Sequence, residues 1–66
     1  MDGVNRSLNT SKPPKPAEIK RARLKAGLSQ SQAAKLIGYS TRSWQSWEGG
    51  QRTMRLLTFL FFKEMT

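Results

Sequence analysis

Between Ala17 and Ala26, apolar side chains recur at spacings of three and four: Ile19, Ala22 and Ala26 define one face, and Lys20, Arg21 and Lys25 fall largely outside it. That spacing predicts an amphipathic helix. Pro16 suits its first turn, where a missing N–H costs nothing. Gly27 ends it, and Leu28 folds back onto its last turn. Ser29 followed three residues later by Gln32 is a capping-box pattern, so a second helix is expected over Gln30 to Ile37, stopped by Gly38. Ser40 caps a third, about Thr41 to Glu48, closed by Gly49 and Gly50. A fourth is expected over about Met54 to Met65. With no strand alternation and no internal repeat, the fold is expected to be all-α with about four helices.

The last of these segments has no polar face. Met54, Leu56, Leu57, Phe59, Leu60, Phe61, Phe62 and Met65 spread around most of its circumference, whereas a surface helix shows one apolar stripe. Side chains of this kind left in water mark an interface. Homodimerisation through Leu56, Leu57, Phe59, Leu60, Phe61 and Phe62 is the expectation; a membrane-surface helix and a different protein partner are its rivals. Sparse charge on the helix disfavours the membrane. The run Leu56 to Phe62, broken by Thr58, is far shorter than the roughly 20 residues that span a bilayer. The polar N-terminus does not read as a secretory signal, so a cytoplasmic protein is expected.

Sixty-six residues make one domain at most. The absence of cysteine and histidine excludes disulfides and the common zinc sites. Asp2, Glu18, Glu48 and Glu64 form no evident catalytic pair, so no catalytic residue, metal or cofactor is expected, and an enzyme is not. Twelve basic side chains against four acidic ones give a net charge of +8, of which +6 falls in residues 17–66. Such an excess favours a polyanion, either nucleic acid or an anionic membrane surface. Residues 1–16, rich in Asn, Ser, Thr and Pro, read as a flexible tail. Its Arg6, Lys12 and Lys15 suit either an arm that touches nucleic acid or an inert solubilising segment. The folded domain is expected over residues 17–66.

Residues 30–49 carry the most informative spacing. Two short helices joined by a tight turn need a small residue where their backbones cross, here Ala34, and a residue free to take an unusual dihedral, here Gly38. Ala33, Ile37, Tyr39, Trp44 and Trp47 fall at the inward positions. The stretch Leu28-Ser29-Gln30, Ala33-Ala34, Ile37-Gly38-Tyr39-Ser40, Trp44, Trp47-Glu48 and Gly50 resembles the phage repressor and Cro-like helix-turn-helix family. Through Ile19, Arg23 and Ala26-Gly27 the likeness covers about residues 18–52. Trp44 and Trp47 stand where that family usually has aliphatic residues, and the chain is shorter than the usual five-helix domain.

The resemblance implies a recognition helix in the major groove of duplex DNA, with Ser40, Thr41, Arg42, Gln45 and Ser46 facing base edges. Arg42 suits guanine O6 and N7, and Gln45 suits adenine N6 and N7. Gln30 resembles the family glutamine that reaches a phosphate and braces the recognition helix. Lys20, Arg21, Lys35, Arg52 and Arg55 are candidate phosphate contacts. Arg23 and Glu48 match a structural ion pair. A dimer would favour a pseudo-palindromic operator. By resemblance, such a protein is a transcriptional repressor, often of its own operon, in a phage or other mobile element, as are anti-CRISPR-associated regulators. The alternative is an antitoxin that binds both DNA and a toxin.

Overall fold

The computed structural model describes residues 12–66. In chain order it contains α1 (Pro16–Lys25), α2 (Gln30–Leu36), α3 (Thr41–Gly49) and α4 (Leu56–Met65), and no strand among the described residues. The all-α class expected from the sequence is the one observed.

Helices α1, α2 and α3 each start where a side chain is at hand to accept a free N–H, whereas α4 starts after Arg55 with no side-chain cap. At α1, Lys15 is extended, Pro16 takes the first position, and the Glu18 carboxylate accepts the Lys15 N–H at 2.8 Å. At α2, the Ser29 hydroxyl accepts the Gln32 backbone N–H at 3.0 Å, and the Gln32 side-chain oxygen Oε1 accepts the Ser29 N–H at 2.9 Å. At α3, Ser40 Oγ accepts the Ser43 N–H at 3.1 Å. The corner between α2 and α3 is made by Gly38, whose φ of 79° lies in the left-handed region that a side chain disfavours. Its N–H donates to the Lys35 carbonyl, and the next N–H, of Tyr39, donates to that of Ala34. This Schellman pairing satisfies the last carbonyls of α2, and the same pairing closes α1 at Gly27 and α3 at Gly50.

The core draws on every helix: Ile19 from α1, Ala33 and Ala34 from α2 with Ile37 just beyond it, Trp44 and Trp47 from α3, and Phe62 from α4. Ala34, fully buried, lets α2 and α3 approach closely. A relay of tilted and edge-to-face rings then runs through the domain. Tyr39 meets Trp47 at 4.9 Å, Trp47 meets Trp44 at 5.7 Å, and Trp44 meets Phe62 at 4.9 Å. Such pairs contribute about 0.5–1.5 kcal/mol each beyond the area they bury.

Four features depart from the expectations. Of the tail expected over residues 1–16, residues 1–11, including Arg6, lie outside the described residues, but Pro14 is buried, while Pro16 opens α1 as its fixed φ suggested. Packed chain therefore begins ahead of Ala17, because a proline ring is itself apolar surface. Met54 precedes α4 rather than opening it, and it is fully buried in the connecting segment. Tyr39 is not an inward anchor: it stays 45 % exposed and lays its ring edge against Trp47. Phe62 is not a surface residue of α4 but 0 % exposed, its ring tilted against Trp44, so it belongs to the chain's own core and not to a dimer interface.

Candidate nucleic-acid interface

Trp44 and Trp47 lie on one side of α3 and are buried, so the helix period turns Arg42, Gln45 and Ser46 to the other side. Arg42 and Gln45 are exposed, and Thr41 and Ser46 are half-buried. Together they form a polar face on the side of α3 away from the core, touched at Gln45 by Gln30 of α2. Ser40 is engaged otherwise: its hydroxyl caps α3 through the Ser43 N–H and also donates to Ser43 Oγ at 3.1 Å. Its side chain is thus committed to starting the helix. The rim beyond α3 carries Arg52 and Arg55, both exposed, with the Arg52 N–H donating to the Ser46 carbonyl at 3.2 Å.

Glu48, in the last turn of α3, gathers the donors that orient this face. Arg23 of α1 donates from Nε at 2.6 Å to one carboxylate oxygen and from Nη2 at 3.2 Å to the other. Arg23 Nη1 also donates to the Leu28 carbonyl at 3.0 Å, tying α1 to the residue that leads into α2. The Trp44 indole N–H donates to Glu48 from one turn earlier, and Gln30 Nε2 donates to it from α2 at 3.1 Å. One carboxylate therefore holds α1, α2 and α3 together. Burial alone would raise its pKa, but the hydrogen bonds from Arg23, Trp44 and Gln30 and the charge of Arg23 outweigh that and hold it below its ordinary value. The pair is largely shielded, with side chains only 11 % and 7 % exposed, and no buried side-chain nitrogen or oxygen among the described residues lacks a partner.

Gln30 connects the carboxylate to the outward face. Its Oε1 lies 3.5 Å from Gln45 Nε2, on the side away from Glu48. The bonds from Gln30 and Trp44 to Glu48 were not foreseen from the sequence. The four-residue spacing of Trp44 and Glu48, one helical turn, was a signal for one of them; the other joins different helices and leaves no periodic trace.

The remaining candidate cations divide. Lys20 and Lys35 are exposed on α1 and α2. Arg21 lines an open groove between α1 and α4 with Glu18, Lys25, Phe59 and Lys63, apart from the side chains of α3. On α4, Leu57, Leu60, Phe61 and Met65 stay exposed at 78, 47, 50 and 48 %. Leu56 is half-buried, and so is Phe59, which packs against the core under the Lys63 ammonium. Among the described residues no group of three or more His, Cys, Asp or Glu side chains assembles to hold a metal, and no helix is long and apolar enough to cross a membrane.

Residues 17–58 match a family described as a helix-turn-helix domain. Over 50 residues, 76 % of this chain, the sequence is 38 % identical to the type II methyltransferase M.MspI of a Moraxella species, and the chain spans 12 % of that protein's length.

Proposed function

Since the chain belongs to the helix-turn-helix domain family, we infer that it binds duplex DNA sequence-specifically and regulates transcription, with α3 lying in the major groove. The observation that carries this reading is the division of α3 into two faces. Trp44 and Trp47 anchor one in the core, and Glu48 locks its end to α1 and α2. The other leaves Thr41, Arg42, Gln45 and Ser46 facing outward. A helix whose backbone is already fixed against α1 and α2 presents these side chains without a cost of ordering the helix itself, which favours reading of base edges. Ser40 then serves as the cap that starts this helix. The +8 charge supplies the attraction to phosphates, with Gln30, Lys20, Lys35, Arg52 and Arg55 nearest the bound backbone.

The exposed apolar stripe of α4 supports assembly as a homodimer, with Leu57, Leu60 and Phe61 at its centre and Leu56 at its edge, whereas Phe59 packs against the chain's own core and is withdrawn from the interface. Two recognition helices related by a two-fold axis favour a pseudo-palindromic operator. Such a dimer occluding a promoter acts as a repressor, in keeping with the phage and mobile-element proteins the chain resembles. The same stripe also suits a second reading, an antitoxin whose α4 grips a toxin. The match to a segment of the Moraxella type II methyltransferase supports viewing this unit as a portable module that serves alone or joined to another activity. Selection of bound sequences from random duplex DNA tests the reading: one enriched motif with two inverted half-sites is the expected outcome. Retention of all duplexes alike would overturn specificity, and a single unrepeated half-site would overturn the dimer.

A further inference from the structure

Arg21 and Lys25 stand one helical turn apart on α1 and border, with Lys63 of α4, an open trough between the two helices. All three side chains are exposed. The floor is apolar, made of Ala22, Ala26 and Phe59, each half-buried against the core. Two adjoining hollows of about 230 and 320 Å³ form the trough and share Ala22, Lys25 and Lys63. From Glu18 to Ala26 it follows α1 for roughly 12 Å, given the rise of an α-helix. Like charges gathered in this way repel, and the one-turn pair on α1 is unfavourable by itself. The acids at hand do not relieve them. Glu18 accepts the Lys15 N–H, and Glu48 is held by Arg23 in the only ion pair among the described residues.

We propose that this trough docks an acidic segment of a different protein, which lays an aliphatic or aromatic side chain on the floor and sets carboxylates against Arg21, Lys25 and Lys63. The site shares no residue with the outward face of α3 or with the exposed Leu57, Leu60 and Phe61, so it stands whether or not α3 reads DNA. Charge and surface together select the occupant. A duplex keeps its bases stacked inside and offers an apolar floor only sugar and phosphate. A second copy of this chain is itself at +8, and Glu64 is the only acid among the described residues that is not already engaged. A small-molecule site buries most of its ligand, whereas this trough is open along its length. About four residues of extended chain would span it.

Selection from a displayed library of random peptides, with the full chain as bait and excess duplex DNA of random sequence present, supplies the probe. Enriched peptides should carry Asp or Glu on both sides of an apolar residue. The best of them, made with a fluorophore, is then titrated by anisotropy. Its affinity should fall roughly tenfold in the double variant Arg21→Glu with Lys25→Glu, because each reversal turns an exposed attraction into a repulsion. Lys63→Glu, on the other wall, should weaken binding in the same direction. A peptide with Lys in place of its acids should prefer the double variant to the wild type, a gain that a misfolded variant would not show. Arg42→Ala should leave the peptide affinity unchanged.

Enrichment of purely apolar peptides, or of none, would overturn the proposal, as would equal affinity of the acidic peptide for the wild type and the double variant. Displacement of the peptide by duplex DNA, together with weaker duplex binding in the double variant, would make Arg21 and Lys25 phosphate contacts and overturn it too. If the peptide binds as described while the wild type holds every duplex alike, the reading of α3 fails and the docking site remains.

Discussion

Trp44 donates its indole N–H to the carboxylate of Glu48 one turn farther along α3, so the largest core side chain is also a ligand of the ion pair. Replacing it with another apolar ring keeps most of the packing and removes that bond. Trp44→Phe is expected to cost about 1–3 kcal/mol, and in a domain of this size each kcal/mol lowers the melting temperature by about 4–8 °C. A melting curve coincident with the wild type would mean that the indole N–H contributes nothing.

Glu48 also confers a pH dependence whose direction follows from its environment. Its pKa is lower folded than unfolded, so the unfolded chain takes up its proton first as the solution is acidified. The stabilisation is complete above the unfolded value near 4.5 and is lost as pH falls through the lower folded value. Thermal melts between pH 6 and pH 2 should therefore show a decline beginning near the ordinary carboxylate range. Glu48→Gln should flatten the part of that decline due to this group. Arg23→Met at neutral pH leaves the carboxylate shielded with no cation and should cost about 3 kcal/mol. An unchanged acid limb in Glu48→Gln would contradict this account of the site.

Gly38 allows a backbone effect to be measured without a steric one. A Cβ built there meets nothing within 4 Å, yet φ is +79°. Gly38→Ala is expected to lose about 1–2 kcal/mol from conformation alone, and Gly38→Asn less, since asparagine tolerates the left-handed region. Equal losses for both in chemical denaturation would show that some neighbour, and not the dihedral, sets the cost.

Phe61 and Phe62 are adjacent in sequence and should fail in different ways. Phe62 is buried against Trp44 and Phe61 is half exposed. Phe62→Ala should destabilise the domain by about 3–5 kcal/mol, while Phe61→Glu should leave the helical content intact and lower the mass seen by light scattering from dimer to monomer. A monomeric wild-type protein, free and on DNA, would remove the dimer from the proposal.

This pair also marks how far the sequence could be read. Helix ends were legible because they rest on local chemistry: Ser29 with Gln32, Ser40 before Thr41, and the glycines at 27, 38 and 50 each act within a few residues. The inner faces of α1, α2 and α3 were legible because polar residues outline them. On α4 no polar residue does so, and nothing in a run of Leu and Phe tells which ring is core. The burial of Pro14 and the exposure of Tyr39 likewise depend on what lies across the fold. Arg23 and Glu48 could be paired only through the resemblance, and the further donors to Glu48 emerged with the geometry.

The most direct test of the central claim is the affinity of Arg42→Ala for two duplexes, one carrying the selected operator and one of random sequence, at a single salt concentration. If the outward face of α3 reads bases, the variant loses about 1–3 kcal/mol on the operator and discriminates less at one base pair, with a much smaller loss on random DNA. Equal losses on both duplexes, or no loss on either, would contradict it.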